Sequence, residues 1–274
     1  MDGITVTRHA VTGSDAAVVA EIMLDRPPVN AISTGLALSL TELCGELAAE
    51  PSVRAVVVSG APGSRAFCAG ADLKERAGMS DAEILAQRPV IRGVFGAVLG
   101  LPQPVVAAVH GFALGGGCEL ALSCDLIVAD ETAVFGLTEV TVGLVPGGGG
   151  TQLLLRRLGT GRAADLVLTG RHVAIDEAWR LGLVDRRVSG GPAGTAGPAS
   201  SVRETALELA QVVAGNSPVA VKAAKRAIRN GWGAGLAAQL DIEDAAWRTA
   251  AMSADRREGI AAFAEKRPPA WPAE

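Results

Sequence analysis

The sequence predicts an α/β fold with largely parallel strands, followed by a helical C-terminal region. Over the first two thirds of the chain, short apolar segments alternate with segments of helical periodicity, the pattern of strand–helix–strand units. The clearest strand candidate, VRAVVVS at 53–59, is a continuous β-branched run, as expected of a strand buried on both faces. After about residue 160 helical patterns dominate.

The predicted elements of the α/β body follow from apolar spacing and from the prolines that end them. Leu36, Leu40, Leu43 and Leu47 recur at helical spacing, and Pro51 ends that helix. The other predicted elements are a strand at 17–24, a strand at 53–59, a helix at 81–100, a strand at 104–109, a short helix at 116–124 and a strand at 126–129.

The C-terminal region is predicted to be helical. Only 170–173 and 184–188 suggest extended chain, and GGPAGTAGPAS at 190–200 is typical of a flexible surface loop. Four helices are predicted beyond it, at 201–215, 217–230, 234–250 and 253–266. We therefore divide the chain into an α/β body over 1–200, which holds the ligand site, and a helical region over 201–274.

Composition excludes several classes of protein. A hydrophobic fraction of 49% with 20% charged residues, over 274 residues, excludes intrinsic disorder. The net charge of −4 argues against a nucleic-acid partner. Four cysteines without a CxxC pair and three scattered histidines predict neither a disulfide framework nor a metal site. The chain shows no leader pattern and no apolar run long enough to cross a bilayer, so we expect a cytoplasmic protein without a membrane partner.

The segment HGFALGGGCELALSCD at 110–125 is the strongest candidate for a site. Three glycines lie between a buried strand and a helix start, where unpaired backbone N–H groups and the helix dipole favour an anion or a developing oxyanion. Glu119 is placed in the first helical turn, beside those donors. Spacing alone leaves a second interpretation open, in which Glu119 only complements the helix dipole.

A second carboxylate, Glu139, lies in FGLTEVTVGLVPGGGGTQ at 135–152 among apolar and small residues. Partial desolvation would raise its pKa, and two carboxyls beside an oxyanion site could share one water and one proton. The alternative is an ordinary surface-loop glutamate. We interpret VPGGGG as a turn into a helix that begins near Thr151, since it lacks the lysine of a phosphate-binding loop.

Other features have weaker or structural interpretations. FCAGADLKE at 67–75 again places small residues before a helix start, so its backbone donors could face those of Gly116 across a cleft. His110 is expected to be a hydrogen-bonded structural residue and Cys118 a small buried one. The basic helix face of Lys222, Lys225, Arg226 and Arg229 is interpreted as solvated, with contact to a ligand's phosphates as the alternative.

Five segments together resemble the enoyl-CoA hydratase/isomerase (crotonase) family, in the family's order and over nearly the whole chain. They are LDRPPVNAIS (24–33), AFCAGADLKE (66–75), PVVAAVHGFALGGGCELALSCD (104–125), FGLTEVTVGLVPGGGGTQLLLRRLG (135–159) and DRREGIAAFAEKRPPAW (255–271). The resemblance implies a crotonase-like spiral of ββα units, with a helical C-terminal region that forms a homotrimer or a dimer of trimers. It also implies an acyl-CoA thioester as substrate.

The resemblance also implies roles for particular residues. The oxyanion hole would be the backbone N–H groups of Ala71 and Gly116. The substrate and CoA site would be lined by Ala71, Asp72, Leu73, Lys74 and Gly116. Glu119 and Glu139 fill both acidic positions that hydratases use. Residues 76–92 would shape the acyl pocket. No metal or redox cofactor is expected, because coenzyme A is part of the substrate and its thioester activates the alkene.

Three functions are compatible with this resemblance. We expect a 2-enoyl-CoA hydratase of fatty acid metabolism, with Glu119 activating the water and Glu139 delivering a proton to the α-carbon. A Δ3,Δ2-enoyl-CoA isomerase is the first alternative, and it needs only one acid/base. A non-catalytic acyl-CoA-binding protein is the second.

Overall fold

The chain alternates between two sheets, because each of three successive strands of a large sheet is followed by a short strand of a small one. The computed structural model describes residues 3–14, 16–188 and 198–274. The large sheet consists of β1 (Ile4–Ala10), β2 (Val18–Leu24), β3 (Val53–Gly60), β5 (Val105–Val109), β7 (Leu126–Asp130) and β10 (Arg186–Val188), in that order. The small sheet consists of β4 (Ala66–Cys68), β6 (Phe112–Leu114), β8 (Val134–Gly136) and β9 (Val173–Ala174), in that order.

Helices complete the repeating units. The α-helices are α1 (Thr34–Ala49), α2 (Leu73–Arg76), α3 (Asp81–Gly100), α4 (Gly116–Ser123), α5 (Gly150–Leu158), α6 (Thr160–Thr169), α7 (Ile175–Leu181), α8 (Pro198–Ala214), α9 (Pro218–Gly231), α10 (Leu236–Ala251) and α11 (Ala254–Glu265). A short 3-10 helix spans Glu139–Val142. The order β3-β4-α2-α3, β5-β6-α4, β7-β8-α5 is a strand–strand–helix repeat, and each turn adds one strand to each sheet.

The direction of the strands determines where the segments that follow them lie. β2, β3, β5 and β7 pair in parallel, as do β4, β6 and β8, whereas β1 and β9 are antiparallel to their neighbours. Because parallel strands end at the same edge, the segments that follow β4, β6 and β8 meet at one edge of the small sheet.

Two apolar clusters cover the two faces of the large sheet. Val56 and Val58 of β3 face one cluster, which also holds the α1 leucines predicted to be buried, and Val57 faces the other. Helix α8 closes the second face with Val202, Ala206 and other small apolar side chains. Burial of β3 on both sides explains its continuous apolar sequence and confirms that prediction.

Most predicted elements are confirmed, with shifts of a few residues at their ends. Strands β1, β4, β6 and β8 are additional. The last three have three residues each, too few for an alternating pattern, whereas β1 has seven residues and was missed although its length was sufficient. Helix α8 begins at Pro198, so the last residues of the predicted 190–200 loop are helical, while 189–197 lie outside the described residues. The division at residue 200 stays a prediction, although α8 packs against the body.

Candidate active site

A cleft of about 280 Å³ lies where the segments after β4, β6 and β8 meet. Its wall includes Ala71, Gly116, Glu119 and Glu139, so the structure brings together the two predicted donors and the two predicted carboxyls. Ala71 follows β4, Gly116 and Glu119 are in α4 after β6, and Glu139 follows β8. The topology of the small sheet therefore builds the site.

Glycines allow the backbone at 70–71 to approach the backbone at 114–116. Gly70 has φ +88°, and a Cβ there would lie 2.7 Å from the Leu114 carbonyl oxygen and 2.9 Å from the Gly116 nitrogen. Only glycine fits both this conformation and this contact. The backbone that leads into Ala71 thereby lies against the backbone of Gly116.

Both N–H groups are available to a ligand. The neighbours of the Ala71 N–H are bonded to Ile32, since Gly70 O accepts from Ile32 N at 2.7 Å and Asp72 N donates to Ile32 O at 3.0 Å. Gly116 opens α4, where the first N–H groups have no intrahelical acceptor. Within the described ranges no protein acceptor is bound to either N–H. Two such donors can bind one oxyanion.

Glu119 is fixed in the first turn of α4 and is only 3% exposed. Its Oε1 accepts the backbone N–H of Gly148 at 2.6 Å and that of Gly150 at 2.8 Å. Burial raises the pKa of Glu119, while these N–H groups and the charge of Arg88 oppose the rise. Glu119 is thus a buried carboxyl group held by N–H groups from outside its own helix, in addition to its place in the first turn of α4.

The glycine turn at 147–150 has a second role that the sequence did not predict. It does lead into a helix, α5, which starts at Gly150, one residue before the predicted start. Its further role is to present N–H groups to Glu119, and a Cβ at Gly148 would lie 2.3 Å from the Phe95 ring. The run of glycines after an apolar segment was the available signal, but its partner lies 29 residues upstream.

Glu139 has a different environment from Glu119. It is the first residue of the 3-10 helix and is half-buried, and its buried Oε2 has no hydrogen-bond partner in the described part of the chain. Burial, with a smaller contribution from the charge of Glu119, raises the pKa of Glu139 to about 7. Gly115 makes room for it, because a Cβ there would lie 3.1 Å from Glu139 Oε1.

The residues expected at the CoA site are not equivalent. Ala71, Leu73 and Gly116 line the cleft, and Leu73 is 56% exposed. Asp72 caps α2 by accepting the N–H of Lys74 at 3.0 Å, and its other oxygen accepts from Arg26 at 2.7 Å. Lys74 is exposed on α2 but does not line the cleft.

One wall of the cleft comes from α2 and α3. The sequence predicted the segment that forms it, 76–92, but not the individual residues. Within the predicted 76–92 segment, Arg76, Ile84, Arg88 and Ile91 line the cleft. Beyond it, the aromatic ring of Phe95 does so too. Helical spacing from residue 84 to 95 was the signal, but it could not show which face of α3 meets the cleft.

The structural roles predicted for His110 and Cys118 are confirmed. His110 is buried, and its Nε2 lies 3.1 Å from Ser64 O. Cys118 is buried, and burial raises the pKa of its thiol to about 12. Across the described ranges, no group of three or more His, Cys, Asp or Glu side chains is arranged to hold a metal ion.

The solvated interpretation of the basic α9 face is wrong for two of its four residues. Lys225 is 8% exposed, and its Nζ lies 2.7 Å from Asp125 Oδ2. Arg229 donates to the other oxygen of Asp125, also at 2.7 Å. These cations pair with a carboxylate of the body about a hundred positions earlier, which spacing along α9 cannot reveal.

None of the helices in the described ranges is long and apolar enough to cross a membrane.

Known proteins are similar to this chain in both sequence and architecture. The short-chain-enoyl-CoA hydratase of Clostridium acetobutylicum is 38% identical over 250 residues, covering 91% of this chain and 92% of that protein. The mouse mitochondrial methylglutaconyl-CoA hydratase is 40% identical over 246 residues, covering 89% of this chain and 76% of that protein. The crystal structure of an enoyl-CoA hydratase from Bacillus anthracis superposes with a TM-score of 0.89 at 41% identity, covering 100% of both chains.

These similarities confirm the predicted crotonase-like α/β fold. A family model described as enoyl-CoA hydratase/isomerase matches residues 14–274, nearly the whole chain. The strand–strand–helix repeat and the meeting of the segments after β4, β6 and β8 are the structural counterpart of that match. The chain therefore belongs to the enoyl-CoA hydratase/isomerase family.

Proposed function

We propose that this chain is an enoyl-CoA hydratase, which adds water across the 2,3 double bond of an enoyl-CoA thioester. The observation that carries the proposal is the pairing of two unlike carboxyls in one cleft. Glu119 is held by two backbone N–H groups, whereas Glu139 is partly desolvated and has a pKa of about 7. A base and an acid are thus available together near neutral pH.

The backbone N–H groups of Ala71 and Gly116 would bind the thioester oxygen. These bonds strengthen as negative charge builds on that oxygen, and one such donor contributes about 3 kcal/mol to transition-state stabilisation. Charge develops there when water attacks C3, because the electrons of the double bond move through C2 toward the carbonyl. The intermediate is an enolate.

The two glutamates would then divide the proton transfers. Glu119 takes a proton from water as the oxygen bonds to C3, and Glu139 gives its proton to C2 as the enolate collapses. A proton passing from Glu119 to Glu139 restores the starting state, so the two titrate as a pair. We propose that no separate cofactor takes part, since the thioester itself activates the alkene.

The test is hydration of crotonyl-CoA, followed by the loss of its conjugated absorbance and by identification of the product. The hydratase proposal predicts 3-hydroxybutyryl-CoA. Migration of the double bond in a 3-enoyl-CoA, without hydration of any 2-enoyl-CoA, would instead establish the isomerase. Binding of acyl-CoA without turnover of either substrate type would establish a binding protein.

We also propose a homotrimer or a dimer of trimers. The C-terminal helices expose large apolar side chains, with Trp247 68%, Ile260 60% and Phe263 86% exposed, and these three line one groove. Apolar side chains grouped in this way are typical of an interface. Sedimentation should give three or six times the 27.8 kDa of one chain, and Phe263→Glu should lower that mass. A cytoplasmic location and a role in fatty acid metabolism stay predictions.

A further inference from the structure

Two arginines line the cleft on the side of α2 and α3. Arg88 is on α3, and its Nη2 donates to the Gly147 carbonyl oxygen at 2.8 Å. Arg76 ends α2, and its Nε donates to Gln87 Oε1 at 3.1 Å. Each of the two side chains is therefore anchored by one hydrogen bond.

Neither arginine has an ionic partner in the described part of the chain. A guanidinium group has five N–H donors, and Arg88 uses one of them in the hydrogen bond to Gly147. Apolar side chains such as Ile84, Ile91 and Val145 line the same cleft. The charge of Arg88 therefore lies beside an apolar wall with most of its donors unused.

Arg88 also lies near Glu119 in the cleft, because its charge acts on the Glu119 carboxyl. Gly147, which accepts its hydrogen bond, immediately precedes Gly148, which donates to Glu119. The cleft that holds the backbone N–H groups of Ala71 and Gly116 is therefore also lined by Arg88 and Gly147. A short acyl chain whose thioester lies at the two N–H groups has this guanidinium group in the same cleft.

Resting on the proposed hydratase function, we propose that the preferred substrates are enoyl-CoA thioesters whose acyl chain ends in a carboxylate bound by Arg88. The planar guanidinium matches a carboxylate with two parallel N–H···O bonds. Arg88 is exposed, and an acyl chain with a methyl end offers its guanidinium group no acceptor, so neither bond forms. The remaining apolar wall packs against the carbons between the two ends.

The first test measures binding of saturated thioesters, which needs no turnover. Glutaryl-CoA carries the terminal carboxylate, and hexanoyl-CoA is the uncharged chain of similar length. We expect the wild type to bind glutaryl-CoA about tenfold or more tightly than hexanoyl-CoA, and Arg88→Gln to remove most of that ratio. Arg88→Lys should keep part of it, because lysine retains the charge but lacks the fork.

The control is Arg92→Gln, on the same helix but exposed and outside the cleft wall, which should leave the ratio unchanged. Binding of hexanoyl-CoA by Arg88→Gln shows that this variant is folded. The ratio is used because Arg88 also influences Glu119, an effect common to both ligands. A wild-type ratio near one, or a ratio unaffected by Arg88→Gln, overturns the inference.

Turnover separates this inference from the proposed function. The wild type should hydrate trans-pent-2-enedioyl-CoA with a higher kcat/KM than trans-hex-2-enoyl-CoA. Selective glutaryl-CoA binding that depends on Arg88, without hydration of any enoyl-CoA, would overturn the hydratase proposal and support the carboxylate site. Hydration of both substrates with equal kcat/KM would support the hydratase and overturn the carboxylate preference.

Discussion

The backbone N–H of Gly148 lies 2.6 Å from Oε1 of Glu119, although 29 residues separate them in the chain. The contact joins the turn before α5 to the first turn of α4 and fixes the carboxyl in the cleft. It also explains why residues with side chains are excluded from this turn, since a Cβ at Gly148 would collide with the Phe95 ring. The position of the Glu119 carboxyl and the packing against Phe95 therefore depend on the same turn.

Gly117→Ala should be strongly destabilising. A Cβ at Gly117 would lie 1.8 Å from the Cys68 carbonyl oxygen, and a backbone atom of a buried strand cannot move aside. We expect the free energy of unfolding to fall by about 3 kcal/mol or more in urea denaturation. Gly45→Ala, in the middle of α1 with open space at the Cβ position, should instead be neutral or slightly stabilising. Equal stability of the two variants would contradict the close approach.

The pH dependence of kcat/KM should report the protonation of Glu139. Because its pKa is raised to about 7, the carboxyl carries a proton below this pH and can donate it to C2. Hydration should therefore slow as the pH rises above about 7, as measured by the initial rate across a pH series. A rate that rises through this region would indicate that Glu139 acts first as a base, as an isomerase requires.

Glu139→Gln should alter stability in a pH-dependent manner. The raised pKa means that the folded chain binds more protons than the unfolded chain between about pH 4.3 and pH 7, so wild-type stability falls as the pH rises through this window. Glutamine does not titrate. The Tm of the variant minus the Tm of the wild type should therefore increase from pH 5 to about pH 7 and then level off. A difference that stays constant across the series would contradict burial of an ionisable Glu139.

Asp125→Asn should destabilise the chain through Lys225. The substitution preserves shape but leaves the buried ammonium group of Lys225 without its counter-charge. We expect a loss of about 3 kcal/mol in the free energy of unfolding. Asp244→Asn is the matched control, because its ion pair with Arg248 is exposed on α10, and it should cost less than about 0.5 kcal/mol. Similar losses for both variants would refute the distinction.

The sequence was sufficient where a feature is local and long. The leucine spacing of α1, the β-branched run of β3 and the glycines before α4 each predicted an element that the structure contains. Strands β4, β6 and β8 have three residues each, so no periodicity could show them. Their pairing nevertheless decides that Ala71, Gly116 and Glu139 meet.

The site was therefore predictable in its members but not in its contacts. Residue patterns supplied both carboxyls and the glycine donor as candidates, the family resemblance added Ala71 and the roles, and the structure places all four residues in one cleft. The binding of Glu119 by Gly148 and Gly150 depends on tertiary packing. The position of Arg88 could not be predicted either, because it depends on which face of α3 meets the 147–150 turn.

The most direct test of the two-carboxyl mechanism is the hydration rate of Glu119→Gln, Glu139→Gln and the double variant with an enoyl-CoA that the wild type hydrates. Each single substitution should lower kcat by about 10²- to 10⁴-fold, because each removes one proton transfer. The double variant should lose less than the product of the single losses, because the two groups act on one water. Full activity in either single variant would contradict the mechanism.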